Sequence, residues 1–449
     1  TVQSTVNPTA PPGILFAGDP GVPRGIAQTR KDHFSPRIGL AWDVTGDGKT
    51  SVRAGAGVFY GSLSGNQWNT TANFEPFAIR LTFPNGGNAA TGATLANPYR
   101  GYPGGIPFPY NGSFVAGGSI YGADRSFEWP YTYQLNLSLQ RQLTKDLSIM
   151  TAYVGSLSHN LPFATDINYP FMTPTASTAP ANVQARRPDQ SFGSILLMRS
   201  NQTAQYHGFQ LSAVKRMGHH FSLNGFYTYS KTLESVQLQN NTTQGGVQNM
   251  RNLKLDRGRT DDDMRHQFVM SGLWDISYYS GGNAIAKWIL NGWNIDPIVQ
   301  VHSGLPFTVT NGADINLDGV NNDRAVLLPG ANPHLANPTA AMWFNTTAFG
   351  VNGSRIAAVT GSPLEGNTSR DFLNGPGLVQ VDMAISKKIS LRERFGFEFR
   401  AEALNVFNHA NLNNPNATVP ASIAAPGNYG QITGAQTTRV LQLGLRLTF

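Results

Sequence analysis

Cysteine is absent from the 449 residues of this chain. That absence excludes disulfide scaffolds, cysteine-ligated zinc, iron–sulfur clusters and cysteine nucleophiles. Charged residues are scarce too, at 13% of the chain, whereas an ordinary soluble domain has about 25%. The net charge of +7 comes from lysines and arginines that are scattered singly along the sequence. Because no basic run is present, the charge does not indicate nucleic acid as a partner.

Long apolar runs are missing as well, although hydrophobic residues make up 40% of the chain. No stretch approaches the roughly 18 consecutive apolar residues of a membrane-spanning helix. Enzyme signatures are equally absent: the chain has no HExxH and no Walker A motif, and residues 61–65 read GSLSG, with leucine where a nucleophile elbow has serine. We therefore predict that the protein is not an enzyme.

Strict two-residue alternation dominates what the sequence does contain. Between Tyr131 and Leu143, the odd positions are tyrosine or leucine except for Arg141, and the even positions are neutral and polar. Such alternation predicts strands with one apolar face, and many of these segments are as long as strands that cross a bilayer at a tilt. The predicted strands are 37–44, 50–60, 131–143, 145–155, 206–217, 220–231, 264–279, 292–310, 376–390, 393–407 and 436–449.

The connections between these strands alternate in length. Short turns such as Thr45–Lys49 and Met217–His220 alternate with long stretches rich in glycine, asparagine and proline, such as 61–130 and 311–375. Short turns at one end and long loops at the other are typical of an outer-membrane barrel, with the short turns in the periplasm. The sequence therefore predicts an all-β fold, an antiparallel, meandering transmembrane β-barrel.

The number of strands is odd, whereas bacterial single-chain barrels have even numbers. In a closed barrel of eleven antiparallel strands, the first and last strands would run parallel at the seam. We therefore expect this chain to form an open, curved sheet with free edges at 37–44 and 436–449, as a fragment of a larger wall.

The carboxyl-terminal segment is an alternating strand that ends on an aromatic residue. Val440–Phe449 reads VLQLGLRLTF, with leucine at every second position before the final phenylalanine. This ending resembles the signal by which the outer-membrane assembly machinery recognises its clients. We predict that Leu445, Leu447 and Phe449 form that assembly signal; the alternative is an ordinary edge strand.

One polar segment has the spacing of a calcium loop. Asparagines and aspartates follow one another around Gly319, and calcium loops gather six to eight oxygen ligands in this way. Counted from Asp314, the twelfth position of the loop is Ala325, where an EF-hand has glutamate, so the EF-hand pattern is incomplete. The alternative is an Asx-turn-rich loop that satisfies its own backbone. The candidate ligands are Asp314, Asn316, Asp318, Asn321 and Asp323.

A second polar segment, Asp256–His266, contains four aspartates and three arginines. It could hold a polar ligand at the mouth of a barrel. The interpretation we favour is a salt-bridged loop base at the point where a strand enters the membrane.

Several segments resemble the second half of TonB-dependent receptors, in particular the Oar-like branch. They follow the order of that family and span nearly the whole chain, and each is a strand or turn signature. The matching segments are FSPRIGLAWDVTGDGKTSVRAGAGVFY (34–60), YTYQLNLSLQRQL (131–143), YHGFQLSAVKRM (206–217), FYTYSKTLES (226–235), DRGRTDDDMRHQFVMSGLWDI (256–276), NGWNIDPIVQVHSGLPFTV (291–309), FRAEALNVFNHANLNNP (399–415) and the final strand.

The resemblance implies a barrel of about 22 strands around an N-terminal plug, in the outer membrane of a Gram-negative bacterium. It further implies that the loops bind a small or oligomeric ligand, and that TonB energises its import through a TonB box. Residues 1–449 then correspond to the C-terminal portion of the barrel, without the plug, and TonB contacts a missing N-terminal part. The implied partners are outer-membrane lipid and lipopolysaccharide, the assembly machinery and TonB.

Two other functions remain open from the sequence. The chain could be a passive outer-membrane pore without a plug, or a structural or adhesive surface β-protein, for instance a β-sandwich. A sandwich would show two face-packed sheets with crossing connections. A barrel wall would show one sheet whose strands pair in sequence order.

Overall fold

A computed structural model of the chain describes residues 2–25, 28–63, 65–78, 94, 96–97, 112–114, 117–237, 246–350, 365–392, 395–420 and 426–449.

Eleven long strands form a single sheet, and each pairs with its neighbours in sequence order. All ten pairings between them are antiparallel. This meander confirms the predicted architecture and rules out the two face-packed sheets of a β-sandwich. The strands are β1 Arg37–Asp43, β2 Thr50–Tyr60, β3 Tyr131–Gln142, β4 Leu147–Asp166, β5 Ile195–Gly218, β6 Phe221–Glu234, β7 His266–Ile276, β8 Trp293–His302, β9 Leu378–Arg392, β10 Phe395–Leu404 and β11 Val440–Thr448.

The register of the ladders keeps the apolar residues on one face. Leu137 in the middle of β3 lies opposite Ala54 on one side and Tyr153 on the other. Asn136, the next residue along the strand, lies opposite Gly55 and Val154. Because successive side chains point to opposite faces of a sheet, the leucine and tyrosine side chains of β3 lie on one face and its neutral polar side chains lie on the other.

The sheet is open, as the odd strand count predicts. Among the described residues, β1 pairs only with β2, and β11 pairs only with β10. All nine residues of β11 are exposed. The two edges therefore present free backbone N–H and C=O groups, which a membrane does not tolerate without partners.

Two strands are much longer than the alternation indicates. The predicted strands 145–155 and 206–217 extend to Asp166 and back to Ile195, and these extensions pair with each other. Residues 162–166 are all buried. Because loops cover both faces there, the residues have no reason to alternate between apolar and polar.

Other strands are shorter than predicted. The strand predicted at 292–310 ends at His302, and the strand predicted from 436 begins at Val440. At Gly304 the chain packs against the Gly375 carbonyl so closely that a Cβ atom would collide, and the backbone turns away from the sheet. Residues 393 and 394 of the predicted strand 393–407 lie outside the described residues.

Short elements occupy the connections. The helices are α1 Gly65–Ala72, α2 Pro180–Ala185 and α3 Ala284–Leu290, and the 3-10 helices are Leu253–Asp256 and Thr346–Ala348. The two-to-four-residue strands are Ile120–Ala123, Gly258–Arg259, Pro306–Phe307, Thr310–Asn311, Val326–Leu327, Phe349–Gly350, Leu373–Asn374 and Thr418–Val419. None of the helices in the described ranges combines the length and the apolar character that membrane crossing requires.

Candidate functional site

The long connections fold together at the end of the sheet opposite the short turns. Hydrophobic clusters hold them, and the buried side chains come from segments far apart in sequence. We call this structure the loop assembly; its described parts are 61–63, 65–78, 117–130, 167–194, 235–237, 246–265, 303–350, 365–377, 405–420 and 426–439. Loops of this length that pack around their own cores can present a stable surface to a ligand.

The largest cluster joins the two longest connections near the carboxyl end. The Phe344 ring lies 5.7 Å from that of Phe307, 5.8 Å from that of Phe349 and 5.4 Å from that of Tyr429, measured between centroids. Phe344 and Phe349 are almost fully buried. Aromatic pairs at these distances stabilise a core beyond the area they bury. The sequence did not reveal this core, because its members lie in irregular segments without periodicity.

A buried ion pair ties two of these connections together. The Arg324 guanidinium donates to the Asp256 carboxylate and also to the carbonyls of Thr368, at 2.8 Å, and Leu255, at 2.8 Å. Asp256 is 0% exposed and Arg324 is 2% exposed. Burial raises the pKa of Asp256, and Arg324 opposes that shift. The carboxylate therefore depends on Arg324 for compensation of its charge.

A second buried arginine, Arg370, lies next to this pair. Its Nη1 atom is 2.7 Å from Glu234 Oε1 and 3.4 Å from Asp371 Oδ2, and its Nε atom donates to the Asp256 carbonyl at 3.3 Å. Burial raises the pKa of Asp371, and the nearby Asp261 carboxylate raises it further. Arg370 thus connects the end of β6 with the segment that leads into β9.

The segment Asp256–His266 forms the base of the loop assembly. Asp263 is 1% exposed and accepts a hydrogen bond from the Thr232 N–H at 2.6 Å. The arginines Arg265 and Arg259 lie 3.3 and 3.8 Å from its carboxylate. These ion pairs favour the salt-bridged loop base over a ligand-binding mouth for this segment.

The predicted calcium loop folds around its own backbone. The Asp314 carboxylate accepts hydrogen bonds from the N–H groups of Asp318, at 3.2 Å, and Gly319, at 2.7 Å. Asn316 Oδ1 accepts a further bond from the Asp318 N–H at 3.0 Å. Gly319 has a φ of +92°, which a residue with a Cβ rarely adopts. These side-chain bonds to backbone N–H groups are the ones that the Asx-turn alternative predicts.

The buried part of this loop contacts the rest of the assembly. Asp318 Oδ2 accepts a hydrogen bond from the Tyr169 hydroxyl at 2.8 Å, and Asn316 Nδ2 donates to the Gln248 carbonyl. Asn321, in contrast, is exposed, and its amide donates to the Gly312 carbonyl at 3.4 Å. Four of the five predicted ligands therefore lie at partly or fully buried positions, and Asn321 lies at an exposed one.

Asp323 is the fully buried member of the loop. Its Oδ2 atom accepts from the N–H groups of Ile315, at 2.6 Å, and Asn316, at 3.1 Å, while Oδ1 has no hydrogen-bond partner among the described residues. Burial raises the pKa of Asp323 to about 7. Within the described ranges, no three histidine, aspartate or glutamate side chains are grouped so that they could hold a metal ion. Calcium binding therefore stays a prediction.

The predicted assembly signal lies on the open edge. Leu445 is opposite Phe399 and Leu447 is opposite Phe397 on β10. Leu445 and Leu447 are exposed, and Phe449, which follows β11, is 89% exposed. Leu445 and Leu447 lie on one face of the last strand, and Phe449 follows them at the same two-residue spacing. Their role in assembly stays a prediction.

A basic cavity at the short-turn end escaped the sequence analysis. It has a volume of about 240 Å³, and its lining includes Lys49, Arg53, Lys145, Arg216 and Asp146. Lys49 and Lys145 lie in two different short turns, and Arg53 and Arg216 lie in β2 and β5, so sequence spacing gives no signal for it.

Comparison with known proteins places the chain in a family of defined fold. Residues 2–442 match the family described as outer membrane beta barrel domain. A search among curated proteins found no match.

Solved structures of outer-membrane proteins are also similar to the chain. The outer membrane transporter YddB from Escherichia coli is 11% identical, with a TM-score of 0.48, over 93% of this chain and 40% of that one. The FrpB iron transporter from Neisseria meningitidis is 9% identical, with a TM-score of 0.42, over 92% and 39%. The ferripyoverdine receptor of Pseudomonas aeruginosa is 10% identical, with a TM-score of 0.41, over 93% and 33%. The chain thus spans 40% or less of the length of these proteins.

Proposed function

The chain belongs to the family of outer membrane beta barrel domains, and from that premise we propose that it forms the C-terminal half of the barrel of an Oar-like TonB-dependent receptor. In this proposal, residues 1–449 supply eleven of about 22 wall strands. The plug and the TonB box lie in another part of the same protein. The loop assembly binds a ligand outside the cell, and TonB-coupled energy imports it.

The open edges of the sheet are the observation that carries this proposal. Each unpaired N–H or C=O group in hydrocarbon costs several kcal/mol, so an outer-membrane sheet must be closed. In a barrel of eleven strands, β1 and β11 would have to pair in parallel, whereas bacterial single-chain barrels have even numbers of strands. Further strands that pair with both β1 and β11 satisfy the edges and make the strand count even.

The loop assembly supports the receptor over the passive pore. Buried ion pairs and aromatic cores hold the long connections in one arrangement, and this provides a preorganised surface for recognition. The partners in this proposal are outer-membrane lipid and lipopolysaccharide, the assembly machinery, TonB and a small or oligomeric ligand. No nucleic acid is involved.

Bilayer conductance of the complete protein separates the two functions. We expect the receptor to show no stable open channel, because a plug fills the lumen, and to cross-link to TonB in cells. A passive pore would show steady, voltage-independent channels and no TonB cross-link. A variant with the loop residues 311–350 deleted serves as a control, since removing an outer loop leaves a plugged lumen closed.

We expect Phe449 to determine how efficiently the protein enters the membrane. Deleting Phe449 or replacing it with aspartate should reduce the yield of folded, heat-modifiable barrel, because the last strand would lose the aromatic end of its apolar face. The matched control is Thr448→Asp, which changes the neighbouring residue on the other face. A normal yield for the Phe449 variants, or an equal loss in both, would contradict the assembly signal.

We also propose that the loop Asp314–Asp323 takes up a calcium ion. The fully buried Asp323, whose Oδ1 atom lacks a hydrogen-bond partner in the described part of the chain, supports this proposal. A bound cation would supply the positive charge that such a carboxylate otherwise lacks. Extracellular calcium modules bind with dissociation constants of about 10⁻⁴–10⁻³ M.

Calcium should therefore stabilise the loop assembly. At about 10 mM Ca²⁺, such affinities correspond to about 1–3 kcal/mol of added stability, measurable as a rise in melting temperature. Asp323→Asn should abolish the rise, because it removes the charge and keeps an acceptor for the Ile315 and Asn316 N–H groups. Asp47→Asn, in an exposed turn at the other end of the sheet, should leave the rise unchanged. A melting temperature that is the same with Ca²⁺ and with chelator would contradict the proposal.

A further inference from the structure

The connection between β7 and β8 contains an apolar helix that the rest of the chain does not cover. Helix α3, Ala284–Leu290, belongs to the end of the sheet that carries the short turns. The Asn283 side chain caps its first turn by accepting hydrogen bonds from the N–H groups of Ile285 and Ala286 at 3.0 and 3.1 Å. The cap fixes the start of the helix and satisfies two backbone donors that would otherwise lack partners.

The apolar side chains of α3 point away from the protein. Ile285 is 71% exposed, and Trp288 and Ile289 are each 52% exposed. These three residues are spaced i, i+3 and i+4, so they share one face of the helix, and Lys287 lies on the opposite face. No residue of α3 is buried.

Lys387 places the helix on the lipid side of the wall. In β9 this lysine follows Met383 and Ile385 at two-residue spacing, so it lies on the apolar face. Its ammonium donates to the carbonyls of Trp288, at 2.8 Å, and Ile289, at 3.1 Å, and also to that of Asn291.

Lys387 is therefore only 6% exposed, although it lies near the end of a lipid-facing row. The last carbonyls of a helix lack intrahelical partners and attract a cation. Trp293, which lies opposite Lys387 on β8, donates its indole N–H to the Ile289 carbonyl at 2.9 Å. The carboxyl end of α3 is thus attached to the outer face of the wall.

Aromatic residues continue the exposed surface beside the helix. Trp274 at the end of β7 donates its indole N–H to the Tyr278 hydroxyl at 3.0 Å, and the two residues are 46% and 55% exposed. Tryptophan and tyrosine accumulate where a barrel wall meets the headgroups, because their rings are apolar and their N–H and O–H groups are polar.

We propose that α3 is an interfacial helix, which inserts Ile285, Trp288 and Ile289 at the boundary between headgroups and acyl chains in the periplasmic leaflet. The apolar face of α3 continues the lipid-facing surface of the wall, which makes lipid its occupant. Amphipathic helices lie in this layer with the apolar side buried about 5–10 Å. The helix also covers Lys387 at the point where the wall leaves the membrane. This inference rests on the outer-membrane family alone and does not depend on TonB coupling.

Residues 1–449 contain no cysteine, so spin labels can be directed to single sites within them, with any cysteine elsewhere in the complete protein replaced by serine. Single cysteines at Ile285 and Lys287 receive a nitroxide label in the complete protein, reconstituted into vesicles of phosphatidylethanolamine and phosphatidylglycerol. Leu137→Cys provides a reference inside the bilayer, and Lys145→Cys in a short turn provides a reference in water. Heat modifiability verifies that each labelled variant is folded.

The collision rates of the labels with oxygen, which enriches in lipid, and with a water-soluble nickel chelate report the environment. We expect the ratio of oxygen to nickel collisions at position 285 to shift from the Lys145 reference toward the Leu137 reference, and the ratio at position 287 to stay near that of Lys145. Nickel access at position 285 as high as at Lys145 would show a helix in water. Low access for both reagents would show a protein partner. Either result would overturn the proposal.

Discussion

Replacing Arg324 with methionine should destabilise the loop assembly by about 3–5 kcal/mol, because it leaves the Asp256 carboxylate buried without its cation. Both side chains are almost completely inaccessible to water. The substitution also removes the donors to the carbonyls of Thr368 and Leu255. The long connections should then open locally while the strands in the membrane remain paired.

Hydrogen exchange measured by mass spectrometry can localise this effect. Protection of the backbone N–H groups in 246–256 and 365–374 should fall about a hundredfold or more, in line with the expected free energy. Protection in β3 and β6 should not change. Unchanged protection in the two loop segments would show that the ion pair does not hold the loop assembly together.

Two further variants test whether the loss of stability comes from an isolated charge at a buried position. The double variant Arg324→Met with Asp256→Leu removes both charges and should recover part of the lost stability, because no isolated charge remains. Lys49→Met breaks the exposed Lys49–Asp47 pair, whose atoms are 3.2 Å apart, and should leave stability almost unchanged, because water and salt screen an exposed pair.

Replacing Leu137 with arginine should destabilise the membrane-embedded wall by about 2–4 kcal/mol. Leu137 lies in the middle of β3, on the apolar face, and is 53% exposed. A charged side chain on the lipid face costs this much at the bilayer midplane, and less toward the interfaces.

The adjacent position provides a control at the same depth. Asn136→Arg places the same charge on the polar face, which points away from the lipid, and should change stability little. Folding yield into vesicles and the denaturant midpoint, both followed by tryptophan fluorescence, compare the two variants. Equal losses at positions 136 and 137 would contradict the assignment of the faces.

The strands were predictable because lipid and water impose opposite requirements on successive residues. All eleven predicted wall strands occur in the structure and pair in sequence order. The prediction failed where that constraint ends: in the extensions of β4 and β5, residues such as Phe163 and Ala164 are buried on both faces. Helix α3 lies between the predicted strands 264–279 and 292–310, and its seven residues give too few turns for a helical period to stand out in the sequence.

The candidate site was predictable only where its residues are close in sequence. The Asx turns of Asp314–Asp323 follow from local spacing, and so do the ion pairs of Asp263 with Arg259 and Arg265. The pair between Arg324 and Asp256 joins positions 68 residues apart. Irregular loops give no periodic signal from which such contacts can be inferred.

Disulfide cross-linking across the two open edges tests the central claim most directly. Cysteine pairs combine Leu40 on β1 with Leu441, Leu443 or Leu445 on β11, and Ala401 with Leu443, which lie opposite each other in the β10–β11 ladder, serves as the positive control. If the chain is half of a larger wall, the control pair should cross-link in the outer membrane, and none of the Leu40 pairs should. Efficient cross-linking of any Leu40 pair would show that the eleven strands close on themselves, and would favour the passive pore.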